Sequence, residues 1–377
     1  MSIILRIGIV LSLFLFILLL NKRKKSLPDK LLAFGVCTIG IHLLSYNLYH
    51  LGYWDEYPHL IGITVPFPLL YGPILFLYTK YSLRVNSTLT QKDYLHFVPA
   101  VLSFLYMFRF FFFYSGKEKL QVITGAVDDF SVFTSILLVA YAVSGLSYTI
   151  LAYLKTNAHK RVVQNNFSYD NQKISLDWLR NSILWNGSIF LVVAIVLALR
   201  EGLGIEFPFN ADFIFYTLIV IHICWIGFFG IQHENIFSNL RVPDEQNLIA
   251  PPKPGQYKNS GLKQDAAAAI HKQLIQVMLE EKPYLNPKLA LADLAEIMEV
   301  SINHLSQTIN QCENVNFHDF INKYRIDEFI NRSKTNANFS ILANALDSGF
   351  NSKSSFNTVF KKFMKTTPSG YLASLKD

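Results

Sequence analysis

Long apolar stretches separated by short polar ones fill the first two thirds of the chain, and the pattern changes after residue 238. Seven stretches are mostly apolar, at roughly 3–20, 31–51, 61–79, 95–114, 132–154, 183–199 and 213–231. Each is close to the ~20 residues that a helix needs to cross a hydrocarbon core. Seven such runs in one soluble core would leave little polar sequence to cover them. The expected fold is therefore all-α, with a seven-helix transmembrane bundle over residues 1–238. Residues 239–262 hold Pro243, Pro251, Pro252, Pro254, Gly255 and Gly261, with few large apolar groups, and read as an exposed linker. Over 263–377 apolar residues return at spacings of three and four, as in Ile270, Leu274, Val277 and Met278, which predicts soluble helices.

Composition sharpens this division. The chain is 51% hydrophobic and 16% charged, against roughly 25% charged in an average soluble protein. Residues 1–238 carry 18 Lys/Arg and 13 Asp/Glu, and residues 239–377 carry 16 and 14. The net charge of +7 thus belongs mainly to the apolar part. Within it, the segments 21–30, 80–94 and 155–182 hold 13 Lys/Arg, whereas 52–60, 115–131 and 200–212 hold 3. Because basic loops stay cytoplasmic, this bias puts the N-terminus outside and everything after the seventh span inside. The first run has its charges after the apolar stretch rather than before it, unlike a cleaved signal peptide.

Few residues in the spans suggest chemistry. His42, His222 and Cys224 lack the spacing of a zinc site, and His233-Glu234 lacks a second His four residues on. The expected roles are interhelical hydrogen bonds for the His residues, interface snorkelling for Arg109, and buried packing for Cys37, Cys224 and Cys312. No catalytic residue, metal site or cofactor is indicated. The third span is unusual, since Pro66-Phe67-Pro68-Leu69-Leu70-Tyr71-Gly72-Pro73 places three prolines and a glycine at membrane depth. Proline removes a backbone hydrogen bond, so this helix should be kinked or broken. Freed carbonyls at that depth are tolerated where they line a cavity or face other helices. Pro66, Pro68, Tyr71 and Pro73 are accordingly the candidate ligand-cavity residues.

The second region carries a repeated pattern. Leu291, Leu294, Ala295 and Met298 mark a first helix, Glu299-Val300 a turn, and Ser301 the N-cap of a second helix bearing Leu305 and Ile309. Fifty residues on, Ile341–Leu346 forms a helix, Asp347-Ser348-Gly349-Phe350 a turn, and Asn351 or Ser352 caps a helix with Phe356 and Phe360. These are two helix-turn-helix units, at about 291–311 and 341–362. A helix over Phe317–Arg332 would hold them apart at fixed separation, so that two reading helices could enter successive major grooves ~34 Å apart.

These residues resemble the DNA-binding domain of the AraC/XylS transcription regulators. The matching motifs include Leu294-Ala295-Glu296, Ser301–Gln307, Phe317–Asn322, Tyr324–Glu328, Gly349–Phe356, Phe360–Phe363 and Thr367-Pro368-Ser369. The resemblance covers roughly 280–375. Pro68–Pro73 and Leu95–Pro99 resemble a membrane-anchored branch of the same family. The family often has Gly where Glu299 and Lys365 stand, so left-handed backbone is expected there at a modest cost. By position the resemblance assigns base contacts to Asn303, Ser306, Gln307 and Asn310 in the first unit. In the second it assigns them to Lys353, Ser354, Asn357 and Thr358, with Lys361 on phosphate. Asn and Gln suit adenine and Lys suits guanine. Lys353, Lys361, Lys362 and Lys365 lie in a stretch without an acidic residue between 348 and 376.

The sequence thus implies a non-enzymatic transcription regulator in a bacterial cytoplasmic membrane, by resemblance an activator. Its partners would be double-stranded DNA, the lipid bilayer and an unidentified signal, with a homodimer as one option. A signal would repack the spans near the third helix and pass through the seventh span and the linker. The alternative is a transporter or channel carrying a regulatory DNA-binding domain. That reading calls for acidic residues in the spans or an inverted repeat, and neither is seen.

Overall fold

The computed structural model describes residues 2–23, 25–83, 88–169, 177–205, 207, 212–232, 264–335 and 339–374. The expected linker and residues 233–238 before it lie outside this set. The described residues are almost all helical, and their one extended pairing is an isolated antiparallel bridge between Phe167 and Ala290. The chain divides into two compact units, residues 1–157 with 176–245, and residues 158–175 with 246–377. The second unit therefore includes a segment from inside the apolar region, which the pattern of spans had not set apart.

In the first unit, α1 (Ser2–Leu20), α2 (Leu27–His50) and α9 (Asp212–Gln232) pack together through Leu5, Leu43, Tyr46, Tyr216, Ile219 and Val220. Ser26 begins α2 with a capping box, its hydroxyl accepting from the Asp29 N–H while the Asp29 carboxylate accepts from the Ser26 N–H. Then come α3 (Pro68–Ser82), α4 (Val98–Tyr106), α5 (Phe108–Phe113), α6 (Gly116–Ile123), the 36-residue α7 (Ser131–Asn166) and α8 (Asp177–Leu197). Gly145 of α7 allows close approach to α8, since a Cβ there would sit 2.1 Å from the Phe190 ring.

Among the described residues, five helices are long and apolar enough to cross a membrane: Ile3–Leu20, Leu27–His50, Gln91–Phe113, Ser131–Asn166 and Trp178–Arg200. Large apolar side chains such as Val10, Leu102, Phe112 and Val132 face outward from them. Of the two other expected spans, the seventh corresponds to the 21-residue α9. The third is helical over only 15 residues, from Pro68, because Pro66 and Pro68 cannot donate to the preceding turn. The residues before it form successive tight turns, with N–H donation from Val65 to Gly62, Phe67 to Thr64 and Leu69 to Pro66. The break expected in this span is a late start, although Pro73 does lie within the helix.

The second unit contains α10 (Gln264–Glu280), α11 (Leu291–Ile297), α12 (Ile302–Thr308), α13 (Phe317–Thr335), α14 (Ile341–Asp347), α15 (Lys353–Met364) and α16 (Pro368–Ser374). The long α13 joins two cores. Phe317, Phe320 and Ile321 enter a cluster with Leu274, Leu294, Leu305 and Ile309. Ile326 and Phe329 enter another with Ala345, Phe350, Phe356 and Phe360. Burying one large apolar side chain is worth about 1.5–3 kcal/mol, so each core is a substantial anchor for its own helix pair.

Candidate nucleic-acid interface

Each helix pair is built as its caps and turns dictate. The Ser301 hydroxyl accepts from the His304 N–H to start α12, and Ser352 accepts from Ser355 to start α15. Of the two cap candidates in the second unit, Ser352 is the one used. Glu299 and Lys365 both adopt the left-handed conformation expected of them, at φ 55° and 58°. Gly349, at φ 92°, is required for a second reason. A Cβ there would lie 2.2 Å from the Tyr284 carbonyl and 3.0 Å from Arg325 Nε.

On α15 the assigned residues share one side. Lys353, Ser354, Thr358 and Lys361 are exposed and Asn357 is half-buried, opposite the buried Phe356, Val359 and Phe360. The first turn of the helix thus offers an ammonium, a hydroxyl and an amide to a groove. Lys362 is committed elsewhere, its Nζ donating to both Asp319 carboxylate oxygens at 2.6 and 2.7 Å. It ties α15 to α13 and leaves the set of lysines available for phosphate. Burial pushes the Asp319 carboxyl up, but hydrogen bonds from His318 and Lys362 outweigh it and hold the group below its ordinary 3.8.

The first unit differs from expectation. Asn303 is exposed, but Ser306 and Gln307 are only 4% and 5% exposed. The cause is packing, since α12 has α10 on one side and α11 on another. Asn310 is half-buried and donates to the Ser306 carbonyl at 2.7 Å, within a π-helical turn over Ile309–Glu313. His304, next to Asn303, is exposed instead. Its position three residues past the cap Ser301, in the first turn of α12, was the available signal for that exposure.

In the first unit of the fold, a cavity of about 570 Å³ is lined mostly by aromatic and aliphatic side chains, among them Tyr46, Trp54, Phe110, Tyr141 and Phe190. Of the expected ligand-cavity residues, Pro68 lines it. Tyr71 lines a smaller neighbouring cavity of about 90 Å³, and Pro66 and Pro73 are buried without lining either. His42 is hydrogen-bonded on both ring nitrogens, to the hydroxyls of Tyr71 (2.7 Å) and Tyr216 (3.1 Å). His222 departs from that pattern, because its Nδ1 has no partner among the described residues. Arg109 is exposed, with its guanidinium 5.7 Å from the centre of the Tyr114 ring. Cys224 and Cys312 are exposed and Cys37 is half-buried, so the expected burial of the cysteines fails. Cys224 and Cys312 face outward from their helices. Among the described residues no group of three or more His, Cys, Asp or Glu could hold a metal ion.

Comparison with known proteins bears on the second unit. Residues 294–374 match a family described as Helix-turn-helix domain. Over 88 residues the chain is 35% identical to an uncharacterized HTH-type transcriptional regulator of Staphylococcus aureus (strain COL). That match covers 23% of this chain and 12% of the relative. No solved structure matches. The C-terminal region is an AraC-type helix-turn-helix domain, and apolar helices precede it.

Proposed function

We propose that the protein is a membrane-embedded, sequence-specific DNA-binding transcription regulator, an activator, that relays a signal from the outer end of its apolar bundle to promoters. The observation that carries this reading is the exposed side of α15, where Lys353, Ser354, Thr358 and Lys361 stand together on a capped helix of an AraC-type domain. Outward apolar side chains on helices of spanning length support the bilayer. The base readers are Asn303 and His304 in the first unit and Lys353, Ser354, Asn357 and Thr358 in the second, with Lys361 on phosphate.

The 570 Å³ cavity supports an input role. Its lining residues come from 42–68, 107–141 and 190–216, around the segments that charge bias puts outside. The size and the apolar, aromatic lining suit a small molecule. The indole N–H of Trp54 is buried there without a partner among the described residues, and a ligand acceptor would satisfy it. Cross-linking DNA to the full chain in intact cells and sequencing what is recovered tests the DNA role. Discrete, motif-bearing sites support it, and uniform recovery defeats it. A reporter fused at residue 240 tests the topology, with periplasmic activity as the contrary result.

A further inference from the structure

The loop segment Phe167-Ser168 is bound within the second unit. Ser168 is fully buried. Its N–H and its hydroxyl both donate to the Leu289 carbonyl, at 3.2 and 2.7 Å. Its carbonyl accepts from Arg325 Nη1 at 2.8 Å and Asn322 Nδ2 at 3.0 Å, and its Oγ accepts from Arg325 Nη2 at 2.9 Å. Phe167 pairs antiparallel with Ala290, the residue before α11.

Arg325 is the centre of this arrangement. It is 1% exposed. Besides the two bonds to Ser168, it donates to the carbonyls of Tyr284 and Asn286 at 2.8 Å each and to Asn322 Oδ1 at 3.3 Å. Five bonds engage the five donors of a guanidinium. Tyr284 and Asn286 lead into the first helix-turn-helix unit, α13 carries Arg325, and Gly349 at the second turn lies against its Nε. One buried cation thus ties Ser168, the approach to α11 and α13 together and packs closely against the second turn, and Ser168 supplies two of its five partners. Without them a buried charge would keep unpaired donors, which is costly in a dry interior.

The loop is also joined to the input end of the chain. Ser168 follows the last residue of α7 by two positions, and Phe133–Tyr141 at the start of α7 line the large cavity. The next helix, α8, contributes Phe190–Leu197 to the same cavity.

We propose that the pocket formed by Arg325, Asn322 and the Leu289 carbonyl is a receptor for the segment Phe167-Ser168, and that seating this segment sets the two helix-turn-helix units in the arrangement that binds DNA. This rests on the DNA-binding reading above. It also moves the signal route from the seventh span and linker to the residues that directly follow α7. Withdrawal of the loop is the off state.

The test uses the full chain in lipid nanodiscs and a duplex that the wild type enriches from a randomised pool. Ser168→Ala should bind that duplex ~10-fold more weakly, since hydrogen bonds involving an ionised partner are the stronger kind. Unchanged or tighter binding would overturn the proposal. A second variant does not depend on the duplex. Phe167 and Ala290 form a non-hydrogen-bonded antiparallel pair, whose Cα atoms stand ~4.5 Å apart, within disulfide reach. With Cys37, Cys224 and Cys312 changed to Ser, F167C/A290C should cross-link in membranes under mild oxidation and keep wild-type DNA affinity. Failure to cross-link, or loss of affinity once cross-linked, contradicts the seated state as the binding state. If the wild type enriches no duplex, the DNA-binding reading fails instead, while the cross-link still reports whether the loop is seated.

Discussion

In the second helix-turn-helix unit, Lys353, Ser354, Thr358 and Lys361 stand exposed along one side of the twelve-residue α15. In the first, every residue from Leu305 to Ile309 is buried, and the outward residues near the cap are Asn303 and His304. The local design is the same in both, with a serine cap, a tight turn and an apolar face on the reading helix. What differs is the company each keeps. α12 is packed by α10 and α11, and the seven-residue helix has little surface left. α15 packs against α13, α14 and α16 yet keeps its polar side open. An assignment by motif position treats the two units as equals, whereas packing leaves the second the broader exposed polar side.

The largest effect should come from the residue that joins the two units. Arg325→Leu is expected to lower stability by about 3 kcal/mol or more, since each orphaned buried acceptor costs about 1–3. Thermal or denaturant unfolding of the chain in nanodiscs measures this, and a near-wild-type midpoint would mean that the two units do not depend on a shared node. Next, Lys353→Ala should reduce discrimination between cognate and altered duplexes by about 1–3 kcal/mol. Asn303→Ala should act in the same way but less, by about 1 kcal/mol, while Gln307→Ala should lower stability and leave base preference alone. A specificity change in Gln307→Ala would restore that residue to the groove and erase the asymmetry.

Two smaller effects concern the lysines. Lys361→Ala should flatten the salt dependence of binding by about one ion, and Lys362→Ala should change the slope less because its charge is held by Asp319. Equal slopes for the two would show that the Asp319 pairing does not persist on DNA. The pairing should also appear in acid. With its carboxyl held below the ordinary 3.8, Asp319 binds fewer protons folded than unfolded. Its contribution is present above that value and is lost as pH falls through the folded one. Lys362 is half-exposed, so the contribution is worth under about 1 kcal/mol. Asp319→Asn should remove this part of the acid loss in a pH series of melting temperatures.

Much of the second unit was legible in the chain itself. The serine caps and the apolar positions that became two cores follow from local chemistry and from spacing, and the left-handed Glu299 and Lys365 from the Gly that the resembling family often has there. Those signals act over a few residues, so a sequence displays them directly. The burial of Ser306 and Gln307 was not legible, because it depends on α10, which begins about forty residues earlier. Nor was the seat of Ser168, whose partners at 289, 322 and 325 lie more than a hundred residues away and follow no period. In the apolar region, the prolines announced a defect in the third span but not the site of the large cavity. That cavity is assembled from the ends of several segments, and Pro68 alone of the four expected residues lines it.

The most direct test of the account is a binding-site profile obtained from intact cells with the full chain, in parallel for wild type, Lys353→Ala and Gln307→Ala. The account predicts discrete sites recovered with the membrane fraction, lost or re-specified in Lys353→Ala and with an unchanged motif in Gln307→Ala. Sites unaffected by Lys353→Ala, or DNA recovered without any sequence preference by the wild type, would contradict it.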